Sequence, residues 1–549
     1  MDYRRSILWV IFTVSVIFLY NSWLRSKGEG GLFGEPPKPV ASQPAAPTSG
    51  VPSSLASGPA AAPQLAPARP TQQPATLTEV RTDLLDLKIS SQGASVVYAG
   101  LRKYQSQNDS AKRMVLFEQN GQRTYVAQSG LVGGDFPNHQ TPMTLLPGPL
   151  DMGQAKSLTV SFRSPVVGGV QLTRSYTFHR GSYAIDVRDT VVNKGSVELR
   201  PQLYMQLVRD GHNPSEGTHF YHTFFGAALY DSAAKFQKFE FSDFHDQPKT
   251  RQASDGWVAV LQQYFAAAWL PQPYRGAREF YMRKLPDGLY ATGVLLHLPG
   301  LAPGAQEQAS QVLFVGPELQ SQVEGLAPGF ELVRDYGWVT IIAKPLFWVL
   351  EQIHRLLGNW GWSIIGLTIL LKLAFFPLTA ASYRSMARMK AVGPRLTALR
   401  ERHKDDPQAM NAAMVEMYRK EKINPLGGCL PVVIQIPVFI ALYWVLLSSV
   451  ELRGAPWLGW IHDLSAKDPY YVLPLVMTAT SFLQVKLNPT PPDPMQARLM
   501  WIMPLAFSVM FFFFPSGLVL YWLTNNIFSI AQQWFINRKM GVPEFSSAK

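Results

Sequence analysis

One apolar run constrains this chain more than any other stretch: Gly361-Trp-Ser-Ile-Ile-Gly-Leu-Thr-Ile-Leu-Leu-Lys372-Leu-Ala-Phe-Phe-Pro377-Leu. At roughly 18 residues it is long enough to cross a hydrocarbon layer as a helix, and it carries a lysine inside. A lysine at a helix centre costs about 3 kcal/mol on insertion scales, so it persists only where water, a partner or the membrane edge relieves it. Two accounts of Lys372 follow. It snorkels, because Leu378 marks the cytoplasmic end about six residues or 9 Å away, within reach of a long side chain. Alternatively it lines a water-filled cavity open to the cytoplasm, with Thr368 one turn away on the same face.

Further apolar segments place this run in a polytopic helical membrane protein. Spans are expected at 358–378, 429–450, 470–487, 499–514 and 517–537. The third and fourth are close to the lower limit for crossing, which calls for a thinned bilayer or tilted neighbours. Basic residues orient them. The segment from Thr379 to Ile423 carries Arg384, Arg388, Lys390, Arg395, Arg400, Arg402, Lys404, Arg419, Lys420 and Lys422, whereas the loop 451–469 carries only Arg453 and Lys467. The first is therefore cytoplasmic and the second outside. Alternation puts 488–498 and the basic tail 538–549 inside. At the start of the chain, Arg4-Arg5 precedes an apolar run from Ile7 to Tyr20, with no small-residue cleavage site after it and Trp23 at its edge. Residues 1–25 read as an uncleaved signal-anchor with a cytoplasmic N-terminus, rather than a cleaved signal.

Between anchor and spans, the texture changes twice. Residues 26–76 are rich in Pro and Ala and cannot bury enough apolar surface to repay ordering, so an extended tether is expected. Residues 77–335 show period-two alternation broken by turn residues, as in Val170-Gln-Leu-Thr-Arg-Ser-Tyr-Thr-Phe, which predicts a large extracytoplasmic antiparallel β-sandwich. Within it, His219 and His222 lie three apart but lack a third ligand, Asp210-Gly-His212 reads as a turn, and Asp186, Asp189 and Glu240 show no paired pattern. Residues 336–357 alternate apolar and charged positions at helical spacing, as an interfacial helix does, and Pro345 is expected to start or break it. A soluble part of this size accounts for a mean hydropathy close to zero beside 47% hydrophobic residues. The net charge of +12 is assigned to cytoplasmic loops, with no sequence-specific nucleic-acid binding expected. The single cysteine, Cys429, leaves no internal disulfide and no zinc spacing.

The cytoplasmic stretch 379–428 reads as a hairpin of two helices, 380–402 and 407–422, with Gly393-Pro394 kinking the first. Met386 and Met389 with Leu396 and Leu399 form a stripe on one, and Met410, Met414 and Met417 with Tyr418 form one on the other. Such faces either capture apolar segments or simply pack the two helices together. Gln435, Gln484, Thr524, Asn525 and Asn526 add polar groups inside the spans, as groove lining or as ties between helices. A phosphate-binding Gly-x-x-x-x-Gly-Lys-[Ser/Thr], His-Glu-x-x-His and Gly-x-Ser-x-Gly are all missing, so no nucleotide, metal or other cofactor is expected. The spans also lack carboxylates, which argues against a proton-coupled carrier.

Several stretches resemble one family closely: Asn424-Pro-Leu-Gly-Gly-Cys-Leu-Pro, Val450-Glu-Leu-Arg-Gly-Ala-Pro-Trp, Trp460-Ile-His-Asp-Leu-Ser-Ala-Lys-Asp-Pro-Tyr-Tyr, Asp493-Pro-Met-Gln and Phe514-Pro-Ser-Gly-Leu-Val-Leu-Tyr-Trp. In this order they resemble the YidC/Oxa1/Alb3 family of membrane protein insertases, in its long Gram-negative form. The resemblance implies a bacterial inner-membrane insertase and chaperone, not an enzyme, whose outer domain is a β-supersandwich. It implies a hydrophilic groove holding one cation, at Lys372 here where many members have arginine, with Thr368, Gln435, Gln484 and Asn525 as further polar groups. It also implies substrate recruitment by the hairpin with its Met386, Met389, Met410, Met414 and Met417, and a hydrophobic slide formed by the third and fifth spans counted from the signal-anchor, 429–450 and 499–514. Trp522 matches a position associated with substrate contact. Implied partners are nascent membrane proteins, the Sec translocon (SecYEG and SecDF), the ribosome through the cytoplasmic loops and tail, and the lipid bilayer. Two rivals from other classes are a solute transporter, which should show internal repeats, and an envelope enzyme with a catalytic β domain.

Overall fold

The computed structural model describes Pro52 and residues 75–539, except 107–111, 214–223, 246, 275, 335, 337–338, 404–405, 421–429 and 488–493. The expected signal-anchor, nearly all of the tether, His219, His222, Cys429 and the end of the basic tail lie outside the described residues, as do the side chains of Met386 and Met389.

The alternating segment forms two nine-stranded antiparallel sheets packed face to face. One runs from Leu77–Arg81 at its edge, through Thr124–Val132 and Gln202–Arg209 at its centre, to Lys249–Ala253. The other runs from Lys235–Glu240, through Phe265–Pro271 and Gln306–Pro317, to Thr144–Leu145. Strand Val170–His179 shows why the pattern folds this way: Val170, Leu172, Arg174, Tyr176 and Phe178 are buried, while the residues between them face outward or are half-buried. Arg174 takes an apolar position in that series and is held there by an ion pair and hydrogen bonds, though its Nη2 has no partner among the described residues. Its Nε donates to Asp189 Oδ1 at 2.7 Å, and its Nη1 donates to the Gly93 and Ser129 carbonyls at 2.8 and 3.2 Å. Gln311 donates to the other Asp189 oxygen, and the Tyr176 hydroxyl donates to the Ala94 carbonyl at 2.7 Å. Gly93 and Ser129 belong to the opposite layer, so this buried cluster ties the two sheets at a fixed register. Asp189, one of the carboxylates without a paired pattern in the sequence, is fully buried.

Nine helices are described after the sandwich: α1 (Thr340–Leu357), α2 (Trp360–Ala374), α3 (Phe376–Ala391), α4 (Gly393–Arg402), α5 (Pro407–Lys420), α6 (Leu430–Ser448), α7 (Val472–Leu487), α8 (Pro494–Phe511) and α9 (Ser516–Lys539). Helix α1 is amphipathic: Ala343, Phe347 and Leu350 are buried, and Ile341, Trp348 and Leu356 are exposed. Contrary to expectation, Pro345 neither starts nor breaks it. The proline sits one turn in, where it removes one ladder bond, to Ile341, at an exposed position. Gly358 in the left-handed region closes α1, and Asn359 then caps α2 by accepting from Trp362 N at 3.1 Å.

The run expected to cross as one helix is two. Helices α2 and α3 meet at Phe375 with a bend of 65°. Pro377 supplies the cause, since it has no N–H to give the Leu373 carbonyl and its ring crowds that carbonyl. Among the described residues no single helix is long and apolar enough to cross a membrane, whereas this bent pair is, by length and composition. The first hairpin helix likewise divides, into α3 and α4, with Pro394 in the first turn of α4. Helix α9 is central and packs on α2, α3, α6 and α7. Close approach at its outer end needs Gly517, where an added Cβ would lie 3.1 Å from the Leu464 carbonyl; Gly361 does the same for α2 against Trp457.

Sandwich and helices are joined by a buried cluster. The Arg334 guanidinium donates to both Glu451 oxygens at 2.7 and 3.0 Å and to Ser449 Oγ at 3.0 Å, and its centre lies 3.9 Å from the Phe347 ring. Val450, which follows α6, packs into the core of the sandwich, and Arg453 donates to the Gln105 carbonyl at 2.7 Å.

Candidate functional site

Lys372 lies on the last turn of α2 and is only 7% exposed. Its Nζ donates to Ser529 Oγ of α9 at 2.7 Å. Among the described residues it forms no ion pair with a carboxylate. The ammonium borders a narrow cleft, partly open on one side, with room for about one water molecule. The lining is Thr368, Leu371, Lys372 and Phe375 of α2 and its end, Thr379 of α3, Gln435 and Val438 of α6, and Tyr521 and Asn525 of α9. Four helices thus supply polar groups to one cation.

Each polar group has a local cause for its position. Thr368 Oγ1 donates back to the Ile364 carbonyl at 2.7 Å, which fixes its rotamer on the α2 face that carries Lys372. Gln435 Nε2 donates to Asn525 Oδ1 at 2.9 Å and so bridges α6 to α9 across the cleft. On α9, Tyr521, Asn525 and Ser529 follow one another at intervals of four and share a face. The Ser529 hydroxyl donates to the Asn525 carbonyl at 2.8 Å and accepts from Lys372.

Of the residues singled out from the sequence, Lys372, Thr368, Gln435 and Asn525 come together here. Gln484 does not line the cleft: it is half-buried on α7. Trp522 lies beside the cleft-lining stripe and packs edge-on against Phe439 at 4.2 Å and next to Phe511 at 5.0 Å, joining α6, α8 and α9. Asn526 is a tie between helices, donating to Ser481 Oγ of α7 at 3.0 Å, and the Thr524 hydroxyl donates to its own helix at Leu520. On α5, Met410, Met414 and Met417 are half-buried, with Val415 and Glu416 exposed between them. Ser529 and Thr379 were not anticipated. The four-residue spacing of Tyr521, Asn525 and Ser529 carries the signal that would have found the serine.

The chain matches known proteins along its whole length. A model of the family described as 60Kd inner membrane protein covers residues 352–543, and one described as the YidC periplasmic domain covers residues 77–349. A membrane protein insertase YidC of Ralstonia nicotianae is 51% identical over 558 residues, covering 100% of each chain. One of Cupriavidus necator is 52% identical over 554 residues, covering 98% of each. A crystal structure of an active YidC insertase with its first transmembrane domain resolved aligns at TM-score 0.37 and 17% identity, covering 83% of this chain and 94% of that one. With more than half of its residues identical to those of curated members from end to end, the chain belongs to the YidC family of membrane protein insertases.

Proposed function

We propose that this insertase works through the cleft around Lys372, as a groove cation that draws the polar, acidic end of an incoming chain off the cytoplasm. The observation that carries the proposal is the burial of an ammonium whose described partner is a hydroxyl rather than a carboxylate. A lysine kept only to snorkel would reach outward to headgroups and be exposed. This one turns to a neighbouring helix and leaves protons for other acceptors, since an ammonium has three to donate. Lysine is a point charge without the fork of arginine, so attraction to a carboxylate, not paired hydrogen bonds, is the operative term.

The rest of the mechanism follows the order of the chain. The hairpin, with Met386, Met389, Met410, Met414 and Met417, receives the nascent segment. The polar tail moves into the cleft, and the apolar segment passes along α6 and α8, beside Trp522, into lipid. Partition of about 20 apolar residues drives the step, and a membrane potential helps an acidic tail outward at ~2.3 kcal/mol per charge per 100 mV. No nucleotide is needed. The protein sits in the inner membrane with the sandwich on the periplasmic side and both termini in the cytoplasm, in line with the basic residues between α2 and α6. The ribosome and the Sec translocon are its proposed partners.

The test is insertion of a short, acidic-tailed single-span protein into vesicles holding the wild type, Lys372→Ala or Lys372→Arg. Loss with Ala and recovery with Arg is the expected result; normal insertion by Lys372→Ala overturns the groove mechanism.

A further inference from the structure

We propose that the tip of the β-hairpin formed by strands Val96–Gln105 and Arg113–Gln119 is a docking surface for anionic lipid headgroups, in the leaflet that faces the sandwich. The inference is independent of the groove mechanism and rests on charge and position. Arg102 and Lys103 near the end of the first strand, and Lys112 and Arg113 at the start of the second, are all exposed. Arg453 joins them by donating to the Gln105 carbonyl at 2.7 Å. Fewer carboxylates stand against these five cations. Asp86 serves both Arg102, at 3.8 Å, and Arg113, and Asp109 lies in the connecting sequence. Asp463, whose carboxylate accepts from Ser465, also acts on Arg453. Glu451 is committed to Arg334. A positive excess remains, and Lys103 has no carboxylate partner among the described residues.

The surroundings fix the level at which this excess stands. Val450 packs into the sandwich core just after α6, and Arg453 follows three residues later. The hairpin tip is thus attached to the segment by which α6 leaves the helical bundle. The same loop carries Trp460, Tyr470 and Tyr471, all exposed, and such residues settle at the depth of the headgroups. Across the Arg334 joint, α1 exposes Ile341, Trp348 and Leu356, an apolar face that seeks the same boundary. Contact with Arg453 therefore holds the tip at headgroup depth rather than out in the aqueous phase. Its orientation is set as well: Tyr104 meets the Phe265 ring edge-on at 5.4 Å, and the Arg453 guanidinium lies 5.1 Å from that ring. Phosphate-bearing headgroups are the anions present at that level. Flexible lysines, as point charges, suit phosphates whose positions vary.

The test reads contact between the tip and the headgroups directly. Full-length protein with Gln105→Cys in a Cys429→Ser background is labelled with a fluorophore at residue 105, whose carbonyl alone takes part in the contact with Arg453. It is placed in nanodiscs of phosphatidylcholine, alone or mixed with phosphatidylglycerol. Both kinds of disc carry the same small share of a phosphatidylcholine with a nitroxide on its headgroup, which quenches the fluorophore on contact. Quenching should be stronger in the phosphatidylglycerol discs, and high salt should remove the difference. Each cation near an anionic surface is worth about five-fold in equilibrium. Lys103→Gln with Lys112→Gln should therefore lower the docked-to-free ratio in those discs by about 25-fold, while Lys103→Arg with Lys112→Arg should match the parent. Equal quenching in the two lipids, or unchanged quenching in the Gln pair, overturns the proposal. An Arg pair that loses as much as the Gln pair overturns it as well, because the contact would then depend on the shape of the lysines and not on their charge.

Discussion

Removing Arg334 should loosen the joint between the sandwich and the helices far more than a surface ion pair would. The guanidinium is almost fully buried and forks onto both Glu451 oxygens at 2.7 and 3.0 Å, with Ser449 and the Phe347 ring completing its shell. Exposed pairs are worth about 0–1 kcal/mol, but leaving one member of a buried pair uncompensated costs about 3–5 kcal/mol. The Glu451 side chain keeps 14% exposure, so water softens the loss and the lower end applies. About 3 kcal/mol is a factor of roughly 100 in the local opening equilibrium. The assay is amide hydrogen exchange of the full chain in lipid nanodiscs, read at residues 449–453 and along α1. Arg334→Ala should lower protection there by about two orders of magnitude, with strands far from the joint unaffected. Arg334→Met with Glu451→Leu should recover most of it, because no charge is then stranded. Protection in Arg334→Ala within about three-fold of wild type, or a double variant as open as the sum of the singles, would refute the reasoning.

Three further outcomes are expected. Asp189→Asn strands the fully buried Arg174 and should destabilise the sandwich by at least about 3 kcal/mol in denaturant unfolding followed by tryptophan fluorescence, whereas Arg174→Met with Asp189→Leu should cost less than either single change. Burial pushes the His139 imidazole, which contacts the Tyr204 hydroxyl at 2.6 Å, down to about 4. The unfolded chain therefore binds a proton that the folded one does not between pH ~6.5 and ~4, so stability is full above that window and falls by on the order of 3 kcal/mol through it; His139→Gln should flatten this part of a stability–pH profile. An added Cβ at Gly361 would lie 2.2 Å from the Trp457 ring, so Gly361→Ala should cost about 1–3 kcal/mol by overpacking, visible as a lower thermal midpoint, while Gly393→Ala, which meets nothing within 4 Å, should not.

The sandwich was legible because strand alternation is local: the buried positions of Val170–His179 can be counted off the sequence. Its buried Arg174–Asp189 pair was not, since a charged residue at an inward position breaks the pattern and only the opposite sheet's carbonyls explain it. Hydropathy located the apolar segments, but not the bend at Phe375, where Pro377 overrides a continuous apolar run. Pro345 erred in the opposite direction, because a proline one turn into an exposed helix end costs a single bond. In the cleft, Lys372 was conspicuous because charge is rare in such a run, and Asn525 and Gln435 because amides are. Ser529 was hidden, as serine is common in apolar helices and only its partners give it meaning. The Arg334–Glu451 joint links residues 117 apart, and nothing local marks either as buried.

The central claim is that the charge of Lys372 attracts an opposite charge on the incoming tail, and reversing both charges tests it most directly. A single-span substrate with one acidic tail residue, and its counterpart with lysine at that position, are inserted into vesicles without an imposed potential, by wild type and by Lys372→Glu. Insertion of the acidic tail should fail with Lys372→Glu, and the basic tail should be inserted better by Lys372→Glu than by wild type. Equal insertion of both substrates by both proteins would contradict the account, because the cleft would then act through its shape and polarity with no part played by its charge.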